Sequence, residues 1–200
     1  MADFATYYRD LAQWEGTPSV DLIAPWNVAD VESISNDFRE AFRHKEFCQA
    51  PLLVAAGISN QSIGNKVADY FVRNITQRLC AFQVQDCGGP GYPDKMLLCR
   101  ADRRLFAFEL KATSEFDPKD SNRIVLTSSS QKLRQRFHPP ICHLLATACY
   151  ELTGAEITIE RLRLDFLEPT TPVNVRLEAS VSQRGLAHSQ HRSIYIDAAP

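Results

Sequence analysis

The sequence predicts an α/β domain with a mixed central β-sheet flanked by helices, helical in its N-terminal part and β-rich in its C-terminal part. Two patterns carry this expectation. Apolar residues recur at helical spacing up to Leu79, and from Ala81 onward the period falls to two. A third observation sets the scale: 200 residues, 44% apolar and 23% charged, suit one soluble domain with a core of its own. The chain is therefore read as one domain over 1–200, with a helical part at 1–58, a central core at 59–150 and C-terminal strands at 151–200.

Phe4, Tyr8, Leu11 and Trp14 mark a first helix, which EGTPSVDLIAP ends with two prolines. Val31, Ile34, Phe38, Phe42 and Phe47 lie near one side of a second helix within residues 28–47. The third has the clearest stripe. After Ser59-Asn60, both good N-caps, Ile63, Val67, Phe71, Ile75 and Leu79 repeat every fourth residue. AFQVQ, KMLLCR, LFAFELKA, NRIVLT and ICHLLATACY then read as strands bounded by turn residues. ITIERLRLDFLE, PVNVRLEASV and SIYIDA continue the pattern, with Val173, Val175, Leu177, Ala179 and Val181 sharing a face. SSSQKLRQRF, between two strands, reads as a serine-capped helical turn or short helix.

Composition narrows the class. No run approaches the roughly 20 apolar residues that span a bilayer, and MADFATYYRD lacks a basic-then-apolar leader, so the expected location is the cytoplasm. A net charge of −2 means that any anionic partner must be held by a local cluster of Lys and Arg. Cys48, Cys80, Cys87, Cys99, Cys142 and Cys149 contain no CxxC pair and read as free thiols. The competing zinc reading would use Cys80, Cys87, His138, Cys142 or His143, at spacings that match no usual ligand pattern.

The chemistry concentrates in GGPGYPDKMLLCRADRRLFAFELKAT, residues 88–113. A hairpin turning at Ala101-Asp102 gives cross-strand partners whose numbers sum to 203, which sets Asp94 opposite Glu109. Ala107, Glu109 and Lys111 then share one face, and Phe106, Phe108 and Leu110 the other. Opposed carboxylates repel and raise each other's pKa unless a cation lies between them. Lys111 supplies one positive charge. Hard oxygen donors favour Mg²⁺ for the rest.

Pro93-Asp94, fourteen intervening residues and Glu109-Leu110-Lys111 resemble the PD-(D/E)xK motif of the restriction-endonuclease-like nucleases. The hairpin setting matches as well, since LFAFELKA is apolar up to the ExK. The resemblance implies a restriction-endonuclease-like core over about 59–150, but specific residues only at 93–94 and 109–111. It implies Asp94, Glu109 and Lys111 as catalytic residues, with Mg²⁺ on Asp94, Glu109 and the Leu110 carbonyl. Gln61 and Asp69, on a polar side of the third helix with Asn65, are candidates to support the metal shell. Gly64 in that helix would permit close approach of a DNA backbone or another helix.

DNA contact is expected from Ser128, Ser129, Ser130, Gln131, Lys132, Arg134 and Arg136, because hydroxyls and a helix start suit phosphate while Gln, Lys and Arg read base edges. Arg123, Arg161, Arg163 and Arg176, on alternating strands, read as a wet face. A compact chain with one catalytic centre looks most like a type II restriction endonuclease: a homodimer on a palindromic duplex site, alongside a DNA methyltransferase of the same site. The alternatives are a structure-specific nuclease, such as a junction resolvase or repair nuclease, and an inactive DNA-binding module.

Overall fold

The computed structural model of the chain describes residues 2–43, 52–55, 57–89, 91–114, 123–124, 130–173, 181–182 and 192–198. Helices lead and strands follow. In order they are β1 (Ala2–Asp3), α1 (Phe4–Trp14), α2 (Val28–Phe42), β2 (Leu52–Leu53), α3 (Asn60–Thr76), β3 (Phe82–Asp86), β4 (Lys95–Cys99) and β5 (Leu105–Thr113). Then come β6 (Arg123–Ile124), α4 (Gln131–Arg136), β7 (His143–Thr153), β8 (Glu156–Leu167), β9 (Pro172–Val173), β10 (Val181–Ser182) and β11 (Arg192–Asp197). Phe47, Cys48, Val175, Leu177, Ala179, Arg176, Ser128 and Ser129 lie outside the described residues. No helix among the described residues is long and apolar enough to cross a membrane.

The principal sheet is mixed, in the order β11-β8-β7-β5-β4-β3, with β2 also paired to β8. Its parallel pairing is β5 with β7, and the other pairs are antiparallel. β4 and β5 form the expected hairpin in the expected register. Lys95 faces Phe108 and Leu98 faces Leu105, so the numbers sum to 203. Ala-Asp suits no two-residue turn, so the chain uses a longer loop closed by the Arg103 N–H on the Cys99 carbonyl. Arg103 takes a left-handed φ of 64° there.

Alternation along β5 and β7 sends neighbouring residues into two separate cores. Phe106, Phe108, Leu144 and Ala146 pack with Ile34 and Phe38 of α2 and Val67, Phe71 and Ile75 of α3. Ala107 and Leu145 point the other way, into Phe4, Tyr8 and Leu11 of α1 and Leu133 of α4. The architecture is thus three layers, helices on both faces of the sheet. Each large apolar side chain so buried contributes about 1.5–3 kcal/mol. Trp14 departs from its expected place in the α1 stripe: it is exposed at the helix end, and Tyr7 and Ala12 complete the buried face instead.

Ser59 caps α3 by accepting the Ser62 N–H, and Asn60 is already the first helical residue. Gly64 lies over a strand, neither helix nor ligand. A β-carbon there would sit 3.8 Å from the Ala112 carbonyl oxygen, which is ordinary contact. Since the position is helical and has room, Gly64→Ala is expected to raise stability by about 0.5–1 kcal/mol in urea unfolding. A loss would mean that α3 sits closer to β5 than this spacing.

Two polar ties set α2 on the sheet. The Asp37 carboxylate accepts the backbone N–H groups of Cys80, Ala81 and Phe82 at 2.9–3.0 Å. Arg104, at the hairpin turn, forms a two-pronged pair with Asp30 at 2.6 and 2.7 Å. Both ties reach the β3–β4–β5 unit, so this helix fixes the hairpin from its β3 side and from its tip.

Candidate active site

β4 begins at Lys95, opposite Phe108, while β5 runs on to Thr113. Beside that overhang a cleft of about 480 Å³ opens, with Ala68, Asp69 and Val72 of α3 on one side. Asp86, Asp94, Lys95, Leu110, Lys132 and the Gly88-Gly89 turn line the remainder. It lies where the hairpin's entrance and exit meet.

Neither Glu109 nor Lys111 lines this cleft; they lie on the face of β5 opposite Leu110, and Glu109 is joined to the cleft through Asp94. Glu109 is only 2% exposed, although it is a carboxylate. One of its oxygens, Oε1, pairs with Lys111 Nζ at 2.5 Å, and Oε2 accepts the Asp94 backbone N–H at 3.0 Å. Burial pushes the Glu109 carboxyl above its ordinary value; Lys111 opposes that push and nearby Asp94 adds to it. The face shared by Ala107, Glu109 and Lys111 is therefore not an exposed strand surface. The second core covers its Ala107 end, and Lys111 reaches partly into solvent.

Asp94 is pinned through its backbone. Its N–H donates to Glu109 and its carbonyl accepts the Cys87 N–H at 3.0 Å, which leaves the exposed side chain at the cleft. Just before it, Tyr92 is buried, and its hydroxyl lies 2.9 Å from His143 Nδ1, with the Tyr8 hydroxyl at 3.4 Å. His143 Nε2 lies 3.1 Å from the Leu22 carbonyl, which can only accept. The proton is thus on Nε2, and Tyr92 donates to Nδ1.

With both nitrogens engaged, His143 has none left for zinc. Cys142 faces away, donating to the Pro25 carbonyl at 3.4 Å. Burial lowers the His143 pKa from 6.5 to about 4. A depressed histidine favours the fold fully above about pH 6.5, and that contribution is lost as pH falls through about 4. Over that window the expected loss is roughly 3 kcal/mol. Urea unfolding at stepped pH, beside an NMR titration of the ring, checks it; a ring that titrates near 6.5 would contradict it.

The proposed DNA-contact segment divides. Ser130 stands at the N-cap position of α4 without capping it. Its N–H and hydroxyl both go to the Glu15 carboxylate, and Arg134 Nε returns to the Ser130 hydroxyl at 2.8 Å. Ser130 is fully buried, and this triad ties α4 to the end of α1. Lys132 is buried too, its ammonium donating to the carbonyls of Gly89 at 3.0 Å and Gly91 at 2.7 Å. Arg136 is exposed and its guanidinium reaches Gly88, at the cleft rim. Gln131 is exposed at the helix start.

On α3, Asp69 lines the cleft and Gln61, two turns earlier, does not. Arg163 corrects the wet-face expectation. It is buried and paired with buried Asp165 at 2.8 Å, on the sheet face that carries Glu109. Arg161 is the exposed one and pairs with Asp197.

Among the described residues no three His, Cys, Asp or Glu side chains come together as a metal-binding group. The donor set beside the cleft is instead two carboxylates, Asp94 and Glu109, with Leu110 between Glu109 and Lys111. Such hard oxygen donors fit Mg²⁺, which takes one or two carboxylates and retains water. A divalent cation would also offset the unfavourable burial of Glu109. No family model matches the chain, and no curated protein is significantly similar to it.

Proposed function

We propose that the chain is a Mg²⁺-dependent, site-specific endonuclease that hydrolyses phosphodiester bonds of duplex DNA, in the manner of PD-(D/E)xK type II restriction enzymes. The observation that supports this most directly is the buried Glu109 carboxylate, bonded at once to Lys111 and to the backbone of Asp94, the residue of the three that lines the cleft. Desolvating a carboxylate with a second carboxylate nearby costs stability, which fits a group kept for chemistry. Perturbed carboxylates at a cleft mark sites of chemistry.

Asp94, Glu109 and the Leu110 carbonyl would hold Mg²⁺, which when bound supplies charge to polarise a phosphodiester and to acidify a water. Lys111 favours the ionised form of Glu109. Its ammonium, partly exposed, carries donors that can orient an attacking water or take up charge on the phosphate oxygens. Arg136, at the rim, is placed to meet a neighbouring phosphate. Asp69 stands across the cleft to bind water around the cation.

On this reading the protein works as a homodimer, one centre for each DNA strand, with a methyltransferase protecting the same site. The test is incubation with long duplex DNA and Mg²⁺, beside EDTA and Asp94→Ala controls. Discrete Mg²⁺-dependent fragments absent from both controls are expected. Intact duplex at every enzyme concentration would overturn the reading, and cleavage of branched DNA alone would reassign it to structure-specific nucleases.

A further inference from the structure

The basic segment of α4 contains one side chain that does not behave as a surface cation. Lys132 is buried, and its ammonium donates to two main-chain carbonyls, Gly89 at 3.0 Å and Gly91 at 2.7 Å. Those carbonyls belong to the turn that leads into Asp94. Gly89 and Gly91 have φ values of 89° and 84°, a region where a side chain is strained, so the turn has a backbone that glycine alone holds easily. Glycine admits that conformation without selecting it. Something must hold the turn in place, and the bonds from Lys132 are the ones that cross to it from α4.

The far side of the turn is equally defined. The Cys87 N–H bonds to the Asp94 carbonyl, and the Asp94 N–H bonds to Glu109 Oε2. A turn held at one end by β3 and β4 and in its middle by Lys132 has little freedom left at Asp94. We propose that Lys132 is a positioning residue for Asp94: it holds Gly89 and Gly91 so that the Asp94 backbone meets Glu109 and its carboxylate stays at the cleft. The same lysine lies on the helix whose Arg136 reaches the cleft rim.

The role of this contact in catalysis rests on the nuclease reading above, but the contact itself can be tested without it. The measurement is amide hydrogen exchange of ¹⁵N-labelled full-length protein, with cleavage of plasmid DNA in Mg²⁺ followed in parallel. Lys132→Met keeps the aliphatic stem and removes the donors. It is expected to speed exchange of the Asp94 amide at least tenfold while amides of β7 keep wild-type rates. Lys132→Arg should restore part of the protection, and Gln135→Ala, on an exposed face of the same helix, should change nothing. In cleavage, Lys132→Met should lower kcat more than it raises KM. Wild-type exchange at Asp94 in Lys132→Met would overturn the proposal, as would equal acceleration in β7, which marks general unfolding. A KM effect without a kcat effect would return Lys132 to simple DNA binding. If the wild-type protein cuts no DNA, the nuclease reading fails, and the exchange rates still decide whether Lys132 holds Asp94.

Discussion

Glu109→Gln is expected to abolish Mg²⁺-dependent cleavage, by on the order of 10³-fold or more, in a protein that remains folded. The amide keeps the shape of the side chain and can still accept the Asp94 N–H, so the hairpin geometry survives. What it loses is the charge that would hold the cation. Stability should move the other way. A carboxyl raised above its unfolded value holds its proton more tightly in the folded protein. Its contribution therefore favours folding below the ordinary value of 4.5 and is lost as pH rises through the raised one. Burial disfavours the charged form of Glu109, and glutamine removes that burden. Lys111 loses its partner but retains access to water. Plasmid cleavage and chemical denaturation at pH 7 on the same preparation provide the check. Cleavage within tenfold of wild type would remove Glu109 from the site. A marked loss of stability would make its role structural.

The largest change in stability is expected at a residue outside the cleft. Asp37→Ala removes the acceptor for three consecutive N–H groups, at Cys80, Ala81 and Phe82, where the chain leaves α3 and enters β3. Bonds to a charged acceptor contribute about 1.5 kcal/mol each at the low end of their range, so the expected loss is roughly 4.5 kcal/mol. For a chain of this size that corresponds to a fall in Tm of about 9–18 °C. Asp37→Asn keeps one acceptor oxygen and should lose about half as much. Thermal and urea unfolding of both variants would show the order. Equal effects, or a loss below about 1 kcal/mol for alanine, would mean that water replaces the carboxylate at these three amides.

Much of the hairpin is legible in the sequence, because strand alternation depends only on neighbouring residues. Apolar Phe106, Phe108 and Leu110 against Ala107, Glu109 and Lys111 define the two faces, and the turn at Ala101-Asp102 defines the partners. The burial of Glu109 is not legible in this way. The residues that close over that face come from α1 and α4, which lie more than 90 positions before it and 20 after it in the chain. α4 misleads for a related reason. Serine, lysine and arginine look alike in sequence whether they face DNA or a carbonyl, and only the path of the glycine turn draws Lys132 inward. Asp37 carries no signal, since one acidic residue on an amphipathic helix is ordinary. His143 does carry one: a histidine at the head of the apolar run Leu144–Ala146 invites the question of what satisfies it, and Tyr92 and Leu22 are the answer.

The division of β5 and β7 between two cores bears on how the chain avoids folding wrongly. Most two-layer sheets have a dry face and a wet one, and a strand that slips by one residue exchanges them. Here both faces are enclosed, and they are not interchangeable. A one-residue slip of β5 would drive Glu109 into the layer of Phe38 and Phe71 and turn Phe108 to the face of Leu145 and α1. The misplaced charge would meet no lysine there, and the error would oppose itself in both layers together. A buried carboxylate that weakens the native state thus weakens its nearest competitor far more, and the site guards the register of the strand that carries it.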